Sequence, residues 1–333
     1  MPDAKPRRWR RRLWISLVVL LLVAAGLWAG NSSALWGSGE GRPSLLAHRG
    51  IAQTFPLDGV QADTCTAGRI HPPDHAYVEN TIVSMRAAFD AGADMVEFDV
   101  QLTADGQLAV FHDSVLECRT DGTGRVADHT LAELRRLDLG YGYTADGGAT
   151  HPLRGKAVGL LPTAQEVVAA FPDRELLIDL KNDDPADGAA LAGYLATLPE
   201  ARLKTISVYG GDNSVESVRS RLPQVRATSK AIMKDCLIDY LATGWTSHVP
   251  DSCHDTELHL PQRYGRYLWG WPNLFADRMS EAGTRVILVA GDGEWSEGFD
   301  QPEDLDSVPT GWSGWLWTNR TDVIAPRTGR TPQ

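Results

Sequence analysis

Two carboxylates and two histidines stand where a folded chain could gather them. Glu97 and Asp99 lie two apart in the run Met95–Leu102, whose alternate positions Val96, Phe98 and Val100 are apolar. Side chains alternate faces along a strand, so the apolar set packs one way while both carboxylates point the other. Carboxylates held a few ångströms apart repel unless a proton or a cation lies between them. An oxygen-preferring divalent ion, Mg2+ or Ca2+, suits such a pair. A third carboxylate, Asp179, shares one face of "LLIDLK" with Lys181. His48 ends the apolar run of "LLAHRG" (45–50), and His112 ends the run after the carboxylates. Imidazoles titrate near neutrality and can both take and give a proton. Taken alone, the carboxylate pair also fits an ordinary strand with one wet face, and a lone histidine is usually structural. Recurrence of polar residues at the ends of several apolar runs tips the reading toward a site.

The elements that must position these residues alternate between β-rich and helical patterns. Extended segments are expected at Ser44–Ala47, Met95–Leu102, Leu108–Phe111, Glu175–Leu180, Thr205–Tyr209, Val225–Thr228, Val286–Ala290 and Trp315–Thr318. Helical patterns fall between them, including Thr81–Ala91, Pro162–Phe171 and Ala186–Leu198. Such alternation predicts an α/β fold with a parallel sheet, closed as a TIM (β/α)8 barrel with its site at the C-terminal strand ends. An open dinucleotide-binding sheet is disfavoured, since no Gly-x-Gly-x-x-Gly follows the first strand. Residues 51–78 form a long insertion between Gly50 and Glu79, expected to act as an ordered lid.

In order and spacing, His48-Arg49-Gly50, Glu79-Asn80-Thr81, Glu97-x-Asp99 followed by "TADG", His112-Asp113, "IDLK" and "WTNRTDVI" resemble the glycerophosphodiester phosphodiesterase family. The match is most specific from Leu45 to Asp113 and weak after Thr205. The resemblance implies metal-dependent hydrolysis of glycerophosphodiesters to an alcohol and glycerol 3-phosphate. It further implies His48 and His112 as the acid/base pair, Glu97, Asp99 and Asp179 as ligands of one divalent cation, and Arg49 and Lys181 as phosphate contacts. Glu79 and Asn80 are expected to support these residues by hydrogen bonds. The chain departs from the family pattern at Asp179, where a Glu is usual, in the long insertion, and near its end. There the family's tryptophan-containing strand is replaced by "VILVAGDG", with aromatics in "YLWGWP" and "GWSGWLW" instead. Core packing is the expectation for most of Trp269, Trp271, Trp315 and Trp317, with pocket lining as the alternative. Two rival readings are a lyase of the same barrel that releases a cyclic phosphate and a non-catalytic envelope-binding protein.

Upstream of the domain, five arginines between Arg7 and Arg12 precede an apolar stretch from Leu13 to Ala29. This predicts residues 1–12 as a basic cytoplasmic arm and 13–36 as a transmembrane signal-anchor running into a spacer. The spacer, Gly-, Ser- and Asn-rich, extends to Pro43, and residues 44–333 form the extracytoplasmic barrel domain. Ser32-Ser33-Ala34 offers small residues for a signal peptidase, whose action would release the domain. The net charge is −11; residues 1–36 contribute +5, leaving −16 on the remainder. An acidic body does not suit nucleic acid and is compatible with a small or lipid-derived phosphodiester held by a few placed cations. Nothing in the pattern specifies an oligomeric state.

Overall fold

The computed structural model describes residues 5–37, 41–61, 64–291 and 297–330. Parts of the expected arm (1–4), spacer (38–40) and insertion (62–63), together with Asp292 and Gly293 of "VILVAGDG", lie outside the described residues. Among the described residues, nine strands form one sheet: β1 (Ser44–His48), β2 (Met95–Leu102), β3 (Leu108–Val110), β4 (Glu175–Leu180), β5 (Ile206–Gly210), β6 (Arg226–Ser229), β7 (Glu257–Pro261), β8 (Arg285–Val289) and β9 (Trp315–Thr318). Eight run parallel in the order β6-β5-β4-β2-β1-β9-β8-β7, and β3 folds back antiparallel on β2. Across the seam between β6 and β7, the Thr228 hydroxyl donates to the Glu257 carbonyl at 3.0 Å. The result is a nearly closed TIM barrel.

Period-two patterning sorts the side chains. Val96, Phe98 and Val100 join Leu176 and Ile178 against helix residues Met85, Phe89 and Leu191 outside the barrel. Leu46, Met95, Leu177, Ile287 and Trp317 fill its interior. At the N-terminal strand ends, Arg285 pairs with the fully buried Glu257 (2.9 Å) and with Glu175, plugging the barrel there. Strand β7 has no counterpart among the runs read as extended. Its sequence Glu-Leu-His-Leu-Pro alternates, but with polar residues on the inner face and a proline at its end, so it resembles a loop.

Helix Lys5–Gly30 precedes the barrel. Its Trp9–Gly30 segment, 22 residues, is long and apolar enough to cross a membrane. The expected spacer is not free chain over residues 31–37. Ser33–Trp36 form a short helix, and the Ser33 hydroxyl accepts from the backbone N–H groups of Asn273 and Leu274 on the barrel.

Candidate active site

Strand register assembles the cluster. On adjacent parallel strands His48 lies level with Glu97, and Asp99 lies level with Asp179. All of these are interior positions: Glu97 and Asp99 stand midway along β2, level with the C-terminal ends of β1 and β4. One carboxylate oxygen from each of Glu97, Asp99 and Asp179 lies within 4.8 Å of the others. Glu97 Oε1 and Asp99 Oδ1 are buried without a hydrogen-bond partner. Burial and the neighbouring Asp99 and Asp179 push the Glu97 carboxyl well above its usual range. Burial also raises Asp179, with Asp99 adding to it and Lys181 opposing. Asp99 moves the other way: burial would raise it, but Arg49 and Lys181 hold it far below.

The chain around Arg49 is bent to serve this cluster. Arg49 (φ 61°) and Asn80 (φ 60°) both adopt the left-handed region, a strain that side-chain-bearing residues keep only where the surroundings enforce it. The Asn80 backbone N–H donates to the Arg49 carbonyl. Gly50 (φ +83°) leaves no room for a side chain, since a Cβ would lie 2.5 Å from Ser84 Oγ and 2.7 Å from the Met85 nitrogen. In this conformation the Arg49 backbone N–H reaches Glu97 Oε2 at 3.0 Å, its Nη1 donates to Glu79 Oε1 at 2.8 Å, and its Nε lies 3.0 Å from Asp99 Oδ2. Asn80 grips Asp99 twice, donating from Nδ2 to Oδ2 (2.7 Å) and accepting the Asp99 backbone N–H (3.1 Å). Lys181 Nζ sits 3.1 Å from Asp179 Oδ2 and 3.4 Å from Asp99 Oδ1.

Both histidines are held through Nδ1. His48 faces Asn319 Oδ1 at 2.8 Å, and Asn319 Nδ2 donates to Asp300 at 2.7 Å. The Asp300 carboxylate thus fixes the amide orientation, so His48 donates from Nδ1 and leaves Nε2 toward Glu97, 3.9 Å from Oε2. His112 Nδ1 lies 2.5 Å from Asp113 Oδ1, while Arg119 Nε donates to Asp113 Oδ2 at 2.9 Å. Burial, reinforced by Arg49, lowers both imidazoles well below their ordinary value, so the neutral form dominates at pH 7. His48 is the more enclosed, with 10% of its side chain exposed against 28% for His112.

Sequence reasoning missed Arg119. Its buried guanidinium bonds Asp113, Glu79 Oε2 (3.0 Å), the Tyr143 hydroxyl (2.8 Å) and Thr66 Oγ1 (3.0 Å). It therefore ties the insertion to both His112 and Glu79, and its neighbour Cys118 carries the disulfide to Cys65. Asp300 was missed for the same reason, and Asn319, inside the quoted "WTNRTDVI", was given no role, because each is defined by a partner elsewhere in the chain. Insertion residues Phe55, Val60, Gln61, Thr64 and Thr66 line a cavity of about 590 Å³ together with Arg49, His112, Asp113 and Lys181. The other disulfide, Cys236–Cys253, lies in the outer core beside Tyr240, apart from this cluster. Of the four tryptophans, Trp317 reaches the site, its ring 4.5 Å from that of His48 and 5.3 Å from that of His259. Its buried Nε1 has no partner. Trp269 and Trp271 pack outside the barrel, and Trp315 lies under Arg285.

Residues 48–197 match the family model described as the glycerophosphoryl diester phosphodiesterase family. An uncharacterised protein of Mycobacterium tuberculosis is 28% identical over 203 residues, covering 61% of this chain and 60% of that protein. A glycerophosphodiester phosphodiesterase of Caldanaerobacter subterraneus is 37% identical over 137 residues, 41% of this chain and 44% of that protein. The chain thus spans less than two thirds of the length of these relatives. Among solved structures, the glycerophosphoryl diester phosphodiesterase domain of the M. tuberculosis protein superposes with a TM-score of 0.59 at 19% identity, covering 87% of this chain and 100% of that one. An Oleispira antarctica phosphodiesterase in complex with the product sn-glycerol-3-phosphate gives 0.55 at 19%, covering 86% and 97%. These two likenesses establish the shared barrel. The family likeness thus lies in residues 48–197, and the solved structures share the barrel that carries them.

Proposed function

We propose that this protein hydrolyses glycerophosphodiesters to an alcohol and glycerol 3-phosphate, using His48 and His112 as the acid/base pair beside a divalent cation held by Glu97, Asp99 and Asp179. The observation that carries the reading is the convergence of three carboxylates, two of them with a buried oxygen that accepts no hydrogen bond, next to an imidazole whose Nε2 faces them. The donor set fits a hard cation: all oxygen, concentrated negative charge, and a Glu97 carboxyl that holds a proton strongly in the ion's place. Asp179, one methylene shorter than the Glu usual in the family, still comes within the same 4.8 Å group because it is level with Asp99 on the neighbouring strand. Mg2+ or Ca2+, when bound, supplies Lewis-acid polarisation of a phosphoryl oxygen.

The chain's own residues do the rest. Asn319 and Asp113 accept from the Nδ1–H groups of His48 and His112, leaving each Nε2 as the atom that takes or returns a proton. Arg49 and Lys181, directed at the cluster, stabilise charge gathering on the phosphoryl oxygens. Glu79 and Asn80 hold Arg49 and Asp99 in place. The polypeptide is further proposed to be a single-pass membrane protein, with helix Trp9–Gly30 spanning and the barrel outside the cytoplasm; the basic arm and the two disulfides support that topology.

The test is turnover of a panel of glycerophosphodiesters with added Mg2+ or Ca2+, then with chelator, for wild type, His48→Ala and Glu97→Ala. Glycerol 3-phosphate is expected from the wild type, with losses on the order of 10²–10⁴-fold in the histidine variant. A cyclic phosphate product would instead assign the lyase reaction. Absence of turnover under every condition would leave a binding protein and end the proposal.

A further inference from the structure

The end of the apolar helix is built into the barrel wall. Arg278, buried on the barrel, donates from Nη2 to the Gly30 carbonyl (3.2 Å) and from Nη1 to Asn31 Oδ1 (2.9 Å), satisfying groups that a helix C-terminus leaves open. Asn31 Nδ2 donates to the Trp245 carbonyl at 3.0 Å. In return Ser33 Oγ caps helix Asn273–Glu281, whose own preceding residue, Pro272, provides no side-chain cap. Gly30, Asn31 and Ser33 are thus each bonded to the domain.

This junction sets a depth. At about 1.5 Å per residue, Trp9–Gly30 reaches roughly 33 Å, close to the hydrocarbon thickness of a bilayer, which puts Gly30 at its outer boundary. Everything bonded to Gly30 and Asn31 then lies at headgroup level. That flank is unusually apolar and aromatic for a solvent face. Trp36 is 64% exposed, with its Nε1 turned back to the Ala29 carbonyl. Trp245 is 46% exposed, and Ile238 and Leu241 project from the same helix, Lys230–Thr243, that leads into it. The Trp269 indole donates to the Leu241 carbonyl, and two residues earlier Tyr267 is 60% exposed with Arg266 stacked on its ring. Tryptophan, tyrosine and arginine beside an aliphatic patch are the side chains that partition into the membrane interface.

We propose that Trp36, Ile238, Leu241, Trp245 and Tyr267 form a lipid-docking surface that seats the barrel in the outer headgroup layer of the bilayer its own helix spans, fixing the orientation of the barrel mouth. The inference rests on the membrane-spanning reading of Trp9–Gly30. Its occupant is the phospholipid interface, because the patch is continuous with the point where the apolar helix leaves the bilayer.

The test uses the full chain in phosphatidylcholine nanodiscs doped with a phosphatidylcholine that carries a photoreactive diazirine high in one acyl chain. Adducts are expected on the Lys5–Gly30 helix and also on 236–247 and 264–269. In the doubly substituted chain Leu241→Asp, Trp245→Ala, the adducts on 264–269 should fall to background. Those on the spanning helix, and the rate on a water-soluble diester, should persist. Adducts confined to the helix overturn the docking surface and leave the anchor standing, whereas adducts nowhere remove the anchor itself. Two copies per nanodisc by native mass spectrometry, with these peptides unlabelled by lipid, would assign the patch to a second copy and overturn the proposal. If the double variant loses its rate on the soluble diester, the wild-type adduct map decides alone.

Discussion

Glu97 and Asp99 point from one strand into one cluster, yet their protons are driven in opposite directions. Asp99 is pinned by Asn80 and faces Arg49 and Lys181, so it stays ionised. Glu97 accepts one backbone N–H, and burial with two like charges outweighs Arg49 and Lys181, so it favours the neutral form. A carboxyl whose folded pKa lies above its unfolded value of about 4.3 binds a proton more tightly in the fold, and stability then falls as pH rises from that value through the folded pKa. A bound cation removes that loss. The melting temperature should therefore rise more on adding Ca2+ or Mg2+ at pH 8 than at pH 5. Glu97→Gln should in turn melt higher than wild type in chelator at pH 8, by an amount on the order of 1 kcal/mol per pKa unit relieved. The same variant should lose activity by roughly 10²-fold or more, as expected when a residue that positions transition-state charge is removed. If the ion stabilised both proteins equally at both pH values, Glu97 would not be a ligand.

At the scale of elements, what could be read from sequence was what a strand or a turn encodes locally. The alternation in β2 told which face carried Glu97 and Asp99, and the positive φ at Gly50 follows from a glycine in the turn after β1. Arg119, Asn319 and Asp300 were illegible because their chemistry comes from partners reached only through the closed barrel and the stapled insertion. Strand β7 was illegible because its inner face is polar, paired with Arg285 below and set beside Tyr209 and Trp317 above. That strand also borders the seam, where a side-chain hydrogen bond does the work of a ladder. Thr228→Val is expected to cost about 1 kcal/mol and to speed amide exchange in β6 and β7 before the other strands. The insertion makes a different prediction. Cys65 and Cys118 are 53 residues apart, so the double Cys→Ser variant should lose up to about 4 kcal/mol of stability by loop entropy. Because Arg119 holds Thr66 on one side and Asp113 on the other, freeing the insertion should raise KM for diesters of bulky alcohols more than for small ones. A uniform fall in kcat with KM unchanged would show that the insertion does not select substrate.

Over the whole molecule, residues 31–37, where composition marks the start of a spacer, are bonded to the barrel. Gly, Ser and Asn are common in spacers, yet here Ser33 and Asn31 are used for their side-chain oxygens, and Gly37 packs so closely that a Cβ would meet Asn273 at 2.8 Å. Truncation therefore matters by where it falls. A soluble chain beginning at Asn31 keeps the cap on helix Asn273–Glu281 and the Asn31 bond to Arg278, whereas one beginning at Ser44 loses both and leaves the Arg278 guanidinium short of partners. Loss of a side-chain cap costs about 1 kcal/mol, and an unmet bond to a charged group adds about as much again. For a domain of this size that corresponds to a melting temperature lower by roughly 3 °C. Ser33→Ala in the longer chain should reproduce about half of the difference, while both truncations keep the same rate on soluble diesters, since none of these residues touches the carboxylate cluster. Equal melting of the two truncated chains would mean that Asn31–Gly37 detaches from the barrel in solution, and that the orientation of the domain on its helix is not fixed by this junction.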